Sequence, residues 1–419
     1  MSFTAKLFRK AIGAYKEIGM TREKVADVGY STGFPNFDMR NATSVHVKNQ
    51  EKGLDYKYYQ IGLTDGSLNT IVGRSGSGKS TFTWQICGNI IRPFKTSCIF
   101  ADEIESGMQD ARKEVLTSFV GEELQDRVIS RNTGITSENF YERIKLIHDM
   151  RVENFEELEY DTGYLDYRGN KIFKLEPCCY ILDSWALLRP ANLVDEEQIS
   201  GQMSVTSAAK MNTEILRRII PMLKNANILL FIINHILKDV KINPYEKSLA
   251  QVQYLDPGER FPGGDTAIYL ANNLIKLVDY KITEKNDYKF IDIDGVVVEC
   301  KILKSRTNKA GKSTFLVYNQ STGYDPEWSL FVTLKKDGMI EAKGSKVCLK
   351  GYPDYTFYQK NFKDELKKPE FRQMFMAFAM DYLKKMVDQE IEEEAQALEK
   401  NLNIVNDFYS AINYNTLAA

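Results

Sequence analysis

Eight residues, Gly73-Arg74-Ser75-Gly76-Ser77-Gly78-Lys79-Ser80, leave few folds open to this chain. They fit G-x-x-x-x-G-K-[ST] and stand between the apolar run Leu68 to Val72 and the helical run Thr81 to Ile91, the strand, loop and helix order in which such a loop works. Glycines let backbone N–H groups turn inward on phosphate oxygens, and the N-terminus of the following helix adds a favourable dipole. The expected nucleotide-binding residues are therefore Gly73, Arg74, Ser75, Gly76, Ser77, Gly78, Lys79, Ser80 and Thr81. Lys79 is expected to bridge the β- and γ-phosphates, and Ser80 to ligate magnesium, which makes ATP and Mg2+ the expected cofactors.

Around this loop the chain alternates short β-branched runs with longer helical ones. They are Leu68 to Val72, Thr81 to Ile91, Ser97 to Ala101, Glu138 to His148, Cys179 to Leu182, Ser207 to Lys224 and Ile228 to Ile233. That order predicts an α/β fold, a mostly parallel sheet flanked by helices. Residues 151–176 interrupt it, with Tyr167 to Lys171 as a hairpin turn, and read as a surface insertion. Residues Asn234 to Gly263 form a long segment without a sustained period, a length usually kept for function. Phe3 to Ile18 carry apolar residues at helical spacing, and the C-terminal part reads as helical with an acidic cluster from Asp388 to Glu394.

A parallel sheet brings the C-terminal ends of its strands to one edge, beside the phosphates. Asp183, closing the run Cys179 to Leu182, is the expected second contributor to the magnesium shell. After Ser97 to Ala101 come Asp102 and Glu103. Glu103 is the candidate for orienting the attacking water, and Asp102 is its competitor. His235 ends the run Ile228 to Ile233 just before the long segment, where it could report the γ-phosphate to that loop.

Composition excludes several classes. The 55 Lys and Arg balance 57 Asp and Glu, so any polyanion site must be local. Six scattered cysteines without a C-x-x-C pair predict a reducing compartment. No apolar stretch reaches the ~18 residues of a membrane span. A cytoplasmic protein with no membrane partner is expected.

In order, the P-loop, a Glu after the neighbouring strand, Asp183-Ser184, Asn234-His235 and the closing Pro262-Gly263-Gly264-Asp265 resemble the RecA-type recombinase core. Ile233-Asn234-His235 and Lys304-Ser305-Arg306-Thr307, with Lys309 after them, make the chain similar to the recombinases of T-even bacteriophages. Ser31 to Asp38 resemble the start of that core, and Pro369-Glu370-Phe371-Arg372 its C-terminal region. The likeness covers about residues 31–340, broken by insertions at 39–66 and 151–176. It implies three parts: an N-terminal helix and linker for subunit packing (1–30), a RecA-like ATPase core (31–340) and a smaller C-terminal helical region with an acidic tail (341–419).

The resemblance further implies a DNA-dependent ATPase that forms helical filaments on single-stranded DNA and exchanges strands with double-stranded DNA. Glu103 becomes the catalytic glutamate and His235 the γ-phosphate sensor. Lys304, Arg306 and Lys309 become the pool from which a neighbouring subunit brings positive charge to the nucleotide. Residues 196–203 and 236–262 correspond to the DNA-contacting loops. Single-strand-binding and mediator proteins are implied partners, and a bacterial cell the setting, with the chain phage-encoded. The alternatives are a ring-forming P-loop motor, such as a replicative helicase or clock-type ATPase, and a single-stranded DNA coat using ATP as a binding switch.

Overall fold

Alternate residues of the central strands face two different cores, which is why those strands read as unbroken apolar runs. The computed structural model describes residues 27–105, 107–166, 168–194, 202–238, 253–281, 291 and 295–411. The expected N-terminal helix, residues 196–201 of the first expected DNA loop and residues 239–252 of the second lie outside them.

Nine strands form the main sheet. In chain order they are β1 (Leu68–Gly73), β2 (Ile99–Glu103), β3 (Val128–Arg131), β4 (Cys178–Asp183), β5 (Ile228–His235), β6 (Asn273–Lys281), β7 (Gly295–Ser305), β8 (Lys312–Asn319) and β9 (Gly323–Asp325). Across the sheet they run β9-β8-β7-β6-β1-β5-β4-β2-β3. The flanking helices α1 (Lys79–Ile91), α2 (Ser137–Glu153) and α3 (Gln202–Asn225) begin and end within a few residues of the sequence expectation.

Cys179 and Ile181 of β4, with Leu229, Phe231 and Ile233 of β5, pack under α1 against Phe82, Ile86 and Ile90. Their neighbours Cys178, Tyr180, Leu182, Ile228, Leu230 and Ile232 meet Phe140, Ile144 and Ile147 of α2 and Leu216, Ile219 and Leu223 of α3.

The sheet is mixed, which corrects the mostly parallel expectation at one end. From β6 to β3 all neighbours are parallel, whereas β6–β7, β7–β8 and β8–β9 are antiparallel. The cause is connection length: β7–β8 and β8–β9 are joined by short turns, and a parallel pair needs a crossover of a dozen or more residues. This end builds its own core. Val297 and Val317 pack with Trp328, Phe331 and Leu334 of α4 (Pro326–Lys336) and with Phe371, Phe375 and Leu383 of α5 (Pro369–Ala411). The C-terminal part is not purely helical, because a hairpin of Ile340–Lys343 and Lys346–Leu349 precedes α5.

Both expected insertions are hairpins, Thr43–Asn49 with Leu54–Gln60 and Glu159–Leu165 with Lys171–Leu175. They touch each other. Tyr58 stacks on Tyr164 with ring centres 4.2 Å apart, and Tyr56 Oη donates to the Leu165 carbonyl at 2.6 Å. At the start of the core, Asp38 accepts hydrogen bonds from Thr32 N (2.9 Å), Thr32 Oγ1 (2.6 Å) and Ser31 Oγ (2.6 Å), closing the turn that the sequence marks there.

Candidate phosphate site at the C-terminal edge of the sheet

β1 delivers the chain into the loop at Gly73, and Gly78 lies at φ 79°, a left-handed backbone that side chains disfavour. Space is as restrictive as conformation: a Cβ on Gly78 would stand 2.4 Å from Tyr324 Oη, and one on Gly73 2.5 Å from Ser77 Oγ. Arg74, Ser75 and Gly76 are exposed, Ser77 is buried, and its Oγ has no hydrogen-bond partner. Tyr324 Oη donates to the Ser77 carbonyl at 3.1 Å and so braces the loop from β9.

Lys79 opens α1 at 7% exposure, with Nζ donating to the Arg74 carbonyl at 2.9 Å. Burial pulls its ammonium below the usual range, against the Asp183 and Glu105 carboxylates that raise it. The ammonium is thus folded over the loop, with two carboxylates near enough to be felt. Ser80 Oγ donates to Asp183 Oδ2 at 2.6 Å. Burial raises the Asp183 carboxyl, Ser80 counters it, and Glu105 and Glu103 add to the rise. Thr81, one residue on, is buried.

These residues fit ATP and magnesium. An orphaned buried hydroxyl, a desolvated ammonium and a loop of close-packed glycines suit a phosphate chain. A hydroxyl touching a carboxylate supplies the hard oxygen donors that Mg2+ takes beside phosphate and water. Among the described residues no group of three His, Cys, Asp or Glu could hold a metal alone, so phosphate would have to complete the shell.

The acidic turn after β2 divides its carboxylates among separate environments. Asp102 and Glu103 point to opposite faces, as successive strand residues must. Asp102, fully buried, is held by Arg131 (2.7 and 3.0 Å), Arg143 and Tyr180 and faces away from the loop. Glu103, 5% exposed, accepts from Met108 N at 2.7 Å and meets Lys113 Nζ at 2.9 Å. Lys113, 3% exposed, lies over the Trp84 ring.

Glu105, which the sequence reading passes over, reaches His235. Its Oε1 is 2.9 Å from His235 Nε2. The Asp183 carbonyl accepts from Ile104 N (2.5 Å) and Glu105 N (3.4 Å), fastening this turn beside the Ser80–Asp183 pair. The available signal is the second carboxylate two residues beyond Glu103.

His235 is in register with Gly73 on β1, and Ile236 N donates to the Gly73 carbonyl at 3.2 Å. The long segment therefore leaves directly from the phosphate loop. Its base is a ribbon in which Leu237 pairs with Arg260 and Lys238 with Glu259. Asn234 Nδ2 donates to the Pro262 carbonyl at 2.8 Å, and the buried Lys276 meets Glu259 (2.5 Å) and Asp256 (2.8 Å).

The three candidate cations lie at the other end of the sheet. Lys304 pairs across from Leu274, and Asn273 across from Asn69, near the start of β1. Lys304 Nζ donates to the carbonyls of Ile268 (3.2 Å) and Tyr269, Arg306 reaches the Tyr269 carbonyl at 3.4 Å, and Lys309 meets Glu394 of α5 at 3.2 Å. The six residues of β1 separate them from the loop, about 20 Å at ~3.3 Å per residue. They cannot serve the loop of their own chain.

Neither a family model nor a curated protein matches the chain. Among the described residues no helix is long and apolar enough to cross a membrane.

Proposed function

We propose that this chain is an ATP-dependent DNA recombinase of RecA type, similar to those of T-even phages, which forms filaments on single-stranded DNA and carries out homologous pairing and strand exchange. The observation that carries the reading is the convergence of Lys79, Ser80, Asp183, Glu105 and His235 on one edge of the sheet. Bound Mg2+ would supply charge neutralisation on the β- and γ-phosphates. Lys79 would add positive charge to the same oxygens, and Ser80 with Asp183 would hold the cation.

Glu105, rather than Glu103, is the carboxylate we assign to the attacking water. Glu103 is neutralised by Lys113 in a buried ion pair, whereas Glu105 is bound by a histidine that could exchange it for phosphate. His235 then has two alternative partners, Glu105 and the γ-phosphate, and its choice is transmitted to the DNA-binding segment through Ile236 and Asn234. Differential contact of this kind is what a nucleotide switch requires. Lys304, Arg306 and Lys309, being out of reach in their own chain, serve the nucleotide of a neighbouring copy.

The test is ATP hydrolysis with and without single-stranded DNA. Wild type is expected to be stimulated by DNA, and Lys79→Ala to lose at least ~100-fold of its turnover, the loss typical of removing one preorganised charge contact. Unchanged turnover in a folded Lys79→Ala overturns the reading.

A further inference from the structure

The returning limb of the long segment lies over two lysines that repel each other. Lys276 of β6 stands directly opposite Lys301 of β7 in the antiparallel register, and residues so paired share a face, where like charges destabilise. Lys301 has Glu299 of its own strand at 3.6 Å. Lys276, 4% exposed, is answered by the segment itself, through Glu259 at 2.5 Å and Asp256 at 2.8 Å. Glu259 is buried as well, at 5% exposure. Two buried charges are tolerated only while each answers the other.

Apolar contacts hold the same limb against the sheet without fixing its position. Leu255 and Phe261 pack with Ile236, Leu274, Leu303 and Val72, and burial of that kind is non-directional. Two charge-assisted hydrogen bonds to one ammonium are directional and select a single register. Lys276, with Lys301 and Lys238 beside it, holds the Asp256 carboxyl below its usual range against the opposing effect of burial.

The place of this anchor gives it a use. Lys276 is in register with Val72, the residue before the phosphate loop begins, and β1 lies between β5 and β6. The outgoing limb leaves β5 and is fastened to Gly73 through Ile236 N. The returning limb is fastened to β6 by Lys276, and Glu259 pairs across the ribbon with Lys238. The base of the segment therefore straddles the strand that delivers the phosphate loop.

We propose that Lys276 is a positioning residue for single-stranded DNA: by holding Glu259 and Asp256 it sets the base of the long segment astride β1, so that a nucleotide-dependent move of His235 reaches the segment as a change in DNA affinity. The proposal rests on the recombinase reading above. With the returning limb held, the outgoing limb cannot shift without altering the ribbon between them. Released, the whole base slides, and the nucleotide and DNA sites lose their coupling.

Affinity for oligo(dT), measured on the full chain with Mg2+ and either ADP or a non-hydrolysable ATP analogue, tests this on wild type and Lys276→Met. Wild type is expected to bind about tenfold or more tightly with the analogue, within the ordinary range of coupling between two sites, and Lys276→Met to bring that ratio to about 1. A merely structural pair would weaken DNA binding equally in both nucleotide states. A wild-type ratio kept in a folded Lys276→Met therefore overturns this assignment alone, whereas a wild type without any ratio overturns the recombinase reading and this assignment with it. Should Lys276→Met not fold, Lys276→Met with Glu259→Gln decides by the same ratio, because removing both charges leaves neither buried and unpaired.

Discussion

His235 Nε2 and Glu105 Oε1 stand 2.9 Å apart at the C-terminal edge of the parallel strands, joining the end of β5 to the turn after β2. Each is the other's polar partner at the place where a γ-phosphate would compete for the histidine. The expected consequence is a split between two neighbouring glutamates. Glu105→Gln should keep ATP binding and stability but slow hydrolysis by roughly 100-fold or more, the range for removing a positioned base. Glu103→Gln should instead lower stability by roughly 3 kcal/mol, because it leaves Lys113 buried beside a neutral partner. Hydrolysis rates and denaturation curves of the two variants separate the roles. The reverse pattern returns the water to Glu103.

Asp38 gives a pH-dependent check on how the core begins. Burial pushes its carboxyl up to about 6, against the lowering effect of its bonds from Ser31, Thr32 and Gly33. An unfolded aspartate titrates near ~3.9, so between those values the folded chain holds the proton more firmly. Stability from this group is therefore present at the acid end and is lost as pH rises through the window, by on the order of 3 kcal/mol. Denaturation of wild type and Asp38→Asn from pH 4 to pH 7 should show wild type losing ground relative to the variant as pH rises. A difference that stays constant contradicts the buried carboxyl.

Much of the candidate site was legible because its chemistry is local in sequence. The spacing of Gly73, Gly78, Lys79 and Ser80 dictates the loop, and an apolar strand ending in Asp183 can only deliver it to the same edge. Glu105 was not legible in the same way. Which of two acidic residues is left for the Gly73 to Ser80 edge depends on Lys113, ten residues beyond Glu103, and on Asp183, whose carbonyl fastens the turn. The antiparallel end was hidden for a related reason. β7 and β8 carry the unbroken apolar runs Val296 to Val298 and Phe315 to Tyr318, as the parallel strands also do, and only the short turn closed by Gly311, at φ 87°, marks them as a hairpin. The meeting of the two insertions through Tyr58 and Tyr164 had no sequence signal, since stacked tyrosines 106 positions apart are a product of the fold.

Lys304, Arg306 and Lys309 give a test of action between copies. Charge removal at these residues is expected to lower hydrolysis while leaving nucleotide affinity in the isolated chain unchanged. Mixing such a variant with Lys79→Ala should restore some activity, at junctions where an intact loop meets an intact donor edge. Glu394→Gln, which frees Lys309 from α5, should leave hydrolysis undiminished. Absence of rescue at every mixing ratio contradicts a shared site.

The central claim is tested most directly by electron microscopy of the protein with single-stranded DNA, Mg2+ and a non-hydrolysable ATP analogue. The account predicts regular helical filaments along the DNA with the analogue and few or none with ADP. His235→Ala should lose that nucleotide dependence while still binding the analogue. Closed rings, or a featureless coat that forms equally with either nucleotide, would contradict it.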